Sequence, residues 1–240
     1  MSAPAEWRAE APLNLIFDAD DTLWDSNIHF LEAFEAFVEA IAALGVDTDR
    51  DAVKAAVREA ELELIQTHGY GRRPYVIALE RSIIQVAPEL HHEPLQREVE
   101  RIGAHLIERY CDLLPGVEET VPELAERHKL ILFTKGQRDE QLKKLDRSGL
   151  ASYFSRVETP REKNPDSYRR LVIDCGLERE RTFMIGNSPR SDINPAVRAG
   201  LRAAIYIPHP HTWELEDEEL DAADPRIIEL PTFRALLHVF

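Results

Sequence analysis

Residues 13–22 read LNLIFDADDT, a short apolar run that changes abruptly into an acidic one. An apolar segment of this length that ends at polar residues is typical of a buried β-strand followed by a loop. Asp18 and Asp20 are two positions apart, so on extended backbone both side chains point to the same side while Ala19 points to the other. The stretch therefore predicts a pair of carboxylates at the carboxyl end of a first strand.

The pattern along the rest of the chain changes once, near residues 114–116. Before that point, four segments of helical spacing follow one another with no strand between them. After it, strand segments alternate with helices, at residues 130–133, 153–157, 182–185 and 203–207. Such alternation predicts a parallel sheet covered by helices on both faces. We therefore expect an α/β fold, with a doubly wound parallel-sheet (Rossmann-like) core formed by residues 1–24 and 113–240 and an inserted all-helical cap over residues 25–112.

Composition narrows the class of partner. The chain has 240 residues and a formal net charge of −15, which disfavours binding to a nucleic-acid polymer because such binding neutralises many phosphates. A small phosphorylated substrate is still allowed where cations and a metal gather locally. No apolar run approaches the roughly 20 residues that span a bilayer, and two cysteines are too few for a disulfide framework. We expect a cytoplasmic protein without a membrane partner; its oligomeric state is not determined by the sequence.

Polar residues follow the first, second and fourth predicted strands of the core. Thr134 and Lys135 end the second strand, Lys163 precedes a helix start, and residues 186–192 (GNSPRSD) follow the fourth strand. In an open parallel sheet, ligands bind outside the carboxyl ends of the strands. Carboxylate, hydroxyl and amide oxygens suit Mg²⁺, and ammonium groups suit phosphoryl oxygens. The sequence therefore predicts a metal and phosphate site at this edge.

These motifs resemble those of a known family. Residues 16–23 (IFDADDTL) resemble the first motif of the haloacid dehalogenase superfamily, whose members are mostly phosphatases. Thr134 matches its second motif, Lys163 its third and residues 186–192 its fourth, in the same order. The resemblance covers residues 13–207, and the helical insertion lies where that superfamily places its helical cap.

The resemblance implies a role for each matching residue. Asp18 would attack phosphorus and form an aspartyl-phosphate, and Asp20 would protonate the leaving oxygen and then activate water. Thr134 and Lys163 would hold the phosphoryl oxygens. Because the dehalogenases of the superfamily lack an acid/base at the position of Asp20, the resemblance implies a magnesium-dependent phosphatase acting on a small phosphorylated metabolite.

The sequence departs from the family pattern at two positions. Asp21 stands where many members have glycine, which we interpret as a solvated carboxylate at the mouth of the site. Asn187 stands where an acidic residue is usual, and an amide oxygen without charge binds Mg²⁺ less tightly. The predicted metal set is therefore Asp18, Asp20 (through its backbone carbonyl), Asn187 and Asp192, with Asp192 as the main acidic ligand of its loop. Asn187 also favours an alternative, a catalytically weak phosphate-binding or interaction protein, which the intact carboxylates disfavour.

Two pairs of cationic side chains can each be interpreted in two ways. Lys135 and Arg190 either steer substrate or are solvated loop cations. Arg72 and Arg73 lie in the glycine-containing turn of residues 68–74 and either contact an aromatic or anionic leaving group or belong to a plain surface turn.

A further segment combines His209, His211 and Trp213. Two histidines without a third ligand are weak evidence for a metal, and the resemblance places this segment after an outer strand. We expect a structural loop away from the catalytic edge.

Overall fold

The structure is a computed structural model. It describes Trp7, Pro88 and residues 12–47, 49–86, 93–109, 112–216, 218–221 and 223–240. Its centre is a six-stranded parallel sheet in the order β3-β2-β1-β4-β5-β6. The strands are β1 (Asn14–Phe17), β2 (Lys129–Phe133), β3 (Phe154–Glu158), β4 (Thr182–Gly186), β5 (Ala203–Tyr206) and β6 (Ile227–Glu229). This is the strand order of a doubly wound fold, so the predicted fold class is confirmed.

Helices connect the strands and form the insertion. They are α1 (Asn27–Ala43), α2 (Arg50–His68), α3 (Arg72–Val86), α4 (Glu93–Glu108), α5 (Val117–Arg127), α6 (Arg138–Arg147), α7 (Pro165–Asp174) and α8 (Asn194–Arg198). The sequence predicts a helix near residues 192–199, and the helical region begins earlier than that, because a π-helix, Pro189–Ile193, precedes α8. In the sequence, Thr48 and Asp51 form a capping-box-like pattern that predicts the start of the second helix near Thr48, which lies outside the described residues. The side chain of Asp49 accepts a hydrogen bond from the Asp51 amide. No helix in the described part of the chain is long and apolar enough to cross a membrane.

The contacts divide the chain into two compact units, one of Met1–Asn27 with Cys111–Phe240 and one of Ile28–Tyr110. In the first, alternate residues of β1 enter two different apolar cores. Leu15 and Phe17 pack on one face of the sheet, and Ile16 packs on the other. Both faces are therefore covered, which explains why Leu15, Ile16 and Phe17 are apolar in succession rather than alternating with polar residues. The second unit consists of α1 to α4 around its own apolar core, which includes Phe37, Leu79 and Val99.

The register of the sheet brings the strand ends together. Phe17, the last residue of β1, pairs with Leu132 of β2 and Ile185 of β4. The backbone continues this pairing by one step, because the Asp18 amide donates to the Ile185 carbonyl at 2.9 Å. The side chains that follow β1, β2 and β4 consequently meet at one edge.

Candidate active site

A buried lysine between two carboxylates forms the centre of this edge. Lys163 Nζ contacts Asp18 Oδ1 and lies 2.7 Å from Asp192 Oδ1. The side chain of Lys163 is 1% exposed, so water contributes little to its solvation. Asn164 begins α7 just after it, and its side chain accepts from the Ser167 amide while the Ser167 hydroxyl accepts from the Asn164 amide. This capping box fixes the start of the helix and with it the backbone from which Lys163 extends.

Burial and the opposing charges of Lys163 and its two carboxylates dominate the pKa values of this cluster. Burial raises the pKa of Asp18 to about 7, the charge of Lys163 lowers it, and the charges of Asp192 and Asp20 raise it. Burial also raises the pKa of Asp192 against the opposing effect of Lys163. Burial lowers the pKa of Lys163, but the two carboxylates outweigh it and raise that pKa above its ordinary value. Burial therefore outweighs the charge of Lys163 in the pKa values of both carboxyl groups.

The donor set beside Asp18 fits a hard divalent cation. Thr22 Oγ1 lies 3.3 Å from Asp18 Oδ2 and 3.1 Å from Asn187 Oδ1, so a carboxylate oxygen and an amide oxygen approach the same hydroxyl. Both are ligand types that Mg²⁺ accepts. Asp192 differs from the expectation, because one of its oxygens faces Lys163 and the other accepts from the Ser188 amide at 3.0 Å. In this arrangement Asp192 is chiefly the charge partner of Lys163.

The position of Asp192 depends on a glycine. A Cβ atom built on Gly186 would overlap the carboxylate of Asp192 and would lie 2.6 Å from its Cβ atom. Because Gly186 is the last residue of β4, the strand end can approach the carboxylate only without a side chain.

Asp20 is held by three donors. Trp24 Nε1 and Lys144 Nζ each donate to Asp20 Oδ1 at 2.8 Å, and Gln141 Nε2 donates to Asp20 Oδ2 at 2.8 Å. Burial raises the pKa of Asp20, but the charge of Lys144 and these hydrogen bonds outweigh burial and lower it to about 2. In this arrangement Asp20 is an ionised hydrogen-bond acceptor, the form in which it can take a proton from water.

The second strand contributes Thr134 and Lys135. Thr134 is buried, and its amide donates to the Glu158 carbonyl at 3.1 Å. Lys135 contacts the carboxylate of Glu216, and both side chains are 13% exposed. The solvated-cation interpretation of Lys135 is therefore wrong. Glu216 also accepts from Ser188 Oγ at 2.6 Å, so it joins the loops after β2 and β4.

Residues 209–216, here called the rim segment, do not lie away from this edge, contrary to the expectation. The segment follows β5, the neighbour of β4, and so starts at the same edge of the sheet. Asn187 Nδ2 donates to Thr212 Oγ1 at 3.0 Å, and Arg190 Nη1, on an exposed residue, donates to the Leu215 carbonyl at 2.7 Å. Together with Glu216, these contacts make the rim segment part of the site.

One group of described residues, Asp21, Asp25 and His209, has its potential ligand atoms within 4.8 Å of one another and could hold a metal ion. Hydrogen bonds already use these atoms. Asp21 Oδ1 accepts from the amides of Ser26 and Asn27 at 2.8 and 3.0 Å, next to the start of α1. His209 Nε2 lies 3.2 Å from Asp25 Oδ1, and Nδ1 accepts from the His211 amide at 3.3 Å.

This hydrogen-bonded group holds the first residues after β1 against the rim segment. Asp21 has a φ of 60° and is 7% exposed, so it is a buried turn residue and not the solvated carboxylate that the sequence suggested. Burial raises its pKa to about 7, although the amides of Asn27 and Ser26 oppose the shift.

The two arginines of the helical unit have different surroundings. Arg72 is buried, and its Nη1 donates to the carbonyls of Ile107 and Arg109, at 3.3 and 2.8 Å. These groups lie at and just beyond the C-terminus of α4, where helix carbonyls lack partners within the helix. The placement of Arg72 thus gives it a structural role, which fits neither the contact with a leaving group nor the plain surface turn that the sequence suggested. Arg73 is exposed.

Sequence reasoning missed the residues that contact Asp20 and Asn187. Gln141, Lys144 and Leu145 are buried on one face of α6 although two of them are polar. Long polar side chains at this spacing on the buried face of a short helix were the available signal. Thr212 gave no such signal, because its role depends on how the rim segment returns to the sheet.

The fold and the site define an α/β enzyme whose buried carboxylates and lysine lie at the carboxyl edge of a doubly wound sheet. The family model of haloacid dehalogenase-like hydrolases matches residues 14–200, and the chain belongs to this family. The expectation of a phosphatase of this family is confirmed.

Individual relatives support the same classification. A pyrimidine 5'-nucleotidase of Streptococcus pneumoniae is 30% identical over 158 residues, which are 56% of this chain and 67% of the relative. A glyceraldehyde 3-phosphate phosphatase of Methanopyrus kandleri is 27% identical over 78% of this chain and 80% of its own. A crystal structure of a haloacid dehalogenase-like hydrolase from Xanthomonas campestris superimposes with a TM-score of 0.77 and 29% identity, covering 94% of this chain and 93% of that one.

Proposed function

We propose that the protein is a magnesium-dependent phosphomonoesterase that hydrolyses a small phosphorylated metabolite through an aspartyl-phosphate on Asp18. The observation that carries the proposal is the Lys163 ammonium group buried between Asp18 and Asp192. A fixed cation beside a carboxylate lets that carboxylate approach a phosphate dianion, which it would otherwise repel.

The chemistry assigned to the chain has two steps. An Asp18 oxygen bonds to phosphorus while the bond from phosphorus to the ester oxygen breaks, and that oxygen takes a proton from Asp20. A water molecule then attacks the phosphorus of the aspartyl-phosphate and gives a proton to Asp20, while the bond between phosphorus and the Asp18 oxygen breaks, which releases phosphate and restores the Asp18 carboxylate. Mg²⁺, held by Asp18, the Asp20 carbonyl and Asn187 with Asp192 nearby, would neutralise charge on the phosphoryl oxygens. Thr134 and Lys163 would bind those oxygens.

Asp20 imposes a condition on the first step. As an acid it must carry a proton, whereas Lys144, Gln141 and Trp24 hold it ionised. We therefore propose that Asp20 turns away from these donors when substrate is bound and returns to them as the carboxylate.

The test replaces the nucleophile. Asp18→Asn should remove turnover of p-nitrophenyl phosphate in MgCl₂ while circular dichroism and the thermal midpoint stay close to wild type. Asp146→Asn, an exposed carboxylate of α6, is the matched control and should keep full activity. Phosphate released by a well-folded Asp18→Asn protein at more than about one hundredth of the wild-type rate would exclude Asp18 as the nucleophile.

A second candidate, a phosphate-binding protein with weak catalysis, is favoured by one observation, the uncharged Asn187. The two candidates differ in turnover with magnesium across a panel of phosphate esters. Nucleoside monophosphates and triose phosphates belong in the panel because the named relatives act on a pyrimidine nucleotide and on glyceraldehyde 3-phosphate. Binding of inorganic phosphate with no turnover of any ester would favour the second candidate.

A further inference from the structure

The side-chain amide of Asn187 contacts a hydroxyl whose only hydrogen is already used. Thr212 Oγ1 donates to the His209 carbonyl at 3.0 Å, within the rim segment. A hydroxyl has one hydrogen and two lone pairs, so Thr212 Oγ1 can only accept from any other neighbour. The neighbour is Asn187 Nδ2, at 3.0 Å. The rim segment therefore fixes which end of the amide faces it.

The opposite end of the amide faces the nucleophile. Asn187 Oδ1 lies 3.1 Å from Thr22 Oγ1, and the same hydroxyl lies 3.3 Å from Asp18 Oδ2. Thr22 alone does not fix the amide orientation, because its hydroxyl can donate to Asp18 and accept from an amide nitrogen. Among the contacts of the described residues, only the one with Thr212 requires the oxygen to be on the side of Asp18.

We infer that Thr212 is a positioning residue that orients the amide oxygen of Asn187 towards Asp18 and the cation site. This inference rests on the proposed function. Asn187 and Thr212 are matched in this contact, because the Thr212 hydroxyl accepts a hydrogen bond that the amide of Asn187 can donate and a carboxylate at position 187 cannot. An aspartate there would retain the present geometry only if the Thr212 hydroxyl turned away from the His209 carbonyl.

The experiment measures Mg²⁺ binding alone, by calorimetric titration of metal-free protein with MgCl₂. Thr212→Val keeps the shape and removes the hydroxyl, and it should weaken Mg²⁺ binding by roughly 10-fold, the lower end of what loss of a partner that orients a ligand costs. Thr212→Ser keeps the hydroxyl and should bind like wild type. In an Asn187→Asp background the two carboxylate oxygens are equivalent, so Thr212→Val should change the affinity by less than about twofold.

Each outcome bears on the inference. Equal Mg²⁺ affinity of the valine and serine variants would overturn it. An equal loss with Asn187 and with Asn187→Asp would also overturn it, because that result would reflect a general disturbance of the rim segment. Circular dichroism of the metal-free proteins verifies folding, and Thr212→Ala replaces the valine variant if the latter does not fold. Wild-type protein that binds no Mg²⁺ would instead refute the metal dependence of the proposed function, and this inference with it.

Discussion

Replacing Lys163 by methionine keeps a long flexible side chain and removes the charge between two buried carboxylates. The lysine contacts Asp18 and lies 2.7 Å from Asp192, whose side chain is 1% exposed. Removing one partner from a buried ion pair typically destabilises a protein by about 3–5 kcal/mol, because the remaining charge is left without compensation. Two carboxylates lose their partner here, so we expect a loss near the upper end, about 4–5 kcal/mol at pH 8.

The loss should depend on pH with a defined sign. Lys163 lowers the pKa values of both carboxylates, so its removal raises them further above the value of about 4 in the unfolded chain. A carboxyl group with a raised pKa in the folded state binds its proton at higher pH there than in the unfolded chain. Because these pKa values are higher in the variant than in wild type, lowering the pH from 8 to 5 protonates the folded variant first, and the deficit should shrink by up to about 1.4 kcal/mol per pH unit for each proton that the variant binds and wild type does not.

The assay is urea unfolding of metal-free protein in EDTA, followed by tryptophan fluorescence at several pH values between 5 and 8. All three tryptophans, Trp7, Trp24 and Trp213, belong to the unit that contains the sheet, so the signal reports that unit. Lys129→Met, an exposed lysine of β2, is the matched control and should change stability little at any pH. A deficit of Lys163→Met below about 1 kcal/mol at pH 8, or one that does not change with pH, would refute the argument from buried charge.

Two further predictions concern contacts that the structure revealed. Arg72→Ala should destabilise the helical unit by about 2–4 kcal/mol, because two carbonyls at the end of α4 lose a charged donor and the buried side chain is removed, whereas Arg73→Ala should stay within about 0.5 kcal/mol of wild type; equal urea midpoints by far-ultraviolet circular dichroism would contradict this. Lys144→Met should extend the kcat of an alkyl phosphate to higher pH, because the charge of Lys144 lowers the pKa of Asp20 and its loss lets Asp20 keep the proton that a poor leaving group needs; the pH profile for p-nitrophenyl phosphate, whose leaving group needs no proton, should change less. The exposed neighbour Lys143→Met is the control, and equal changes on both substrates would show a merely structural effect.

The edge of the sheet could be predicted from the sequence because its signals are local. The apolar residues before Asp18 and the alternation of strands with helices specify a buried parallel sheet, and the carboxyl ends of such strands share one edge. The positions of Thr134 and Lys163 follow from this, without any knowledge of the strand order.

The partners of these residues could not be predicted, because each depends on a contact between distant parts of the chain. Lys144 lies 124 positions after Asp20, and Thr212 lies 25 positions after Asn187. Arg72 looked like a surface residue because two glycines precede it closely, and only the packing of α3 against α4 buries it. Composition and periodicity describe single helices and strands, and they contain no information on which side chains of different elements contact each other.

The close approach of Gly186 to Asp192 has a consequence for mutational tolerance. Any side chain at position 186 would displace the carboxylate that neutralises Lys163, although Gly186 needs no left-handed backbone angle and a strand would otherwise accept alanine there. In a saturation library selected for activity, position 186 should therefore be as depleted of substitutions as Asp18. A scan of that kind would rank this glycine among the catalytic residues even though it has no side chain with which to touch a substrate.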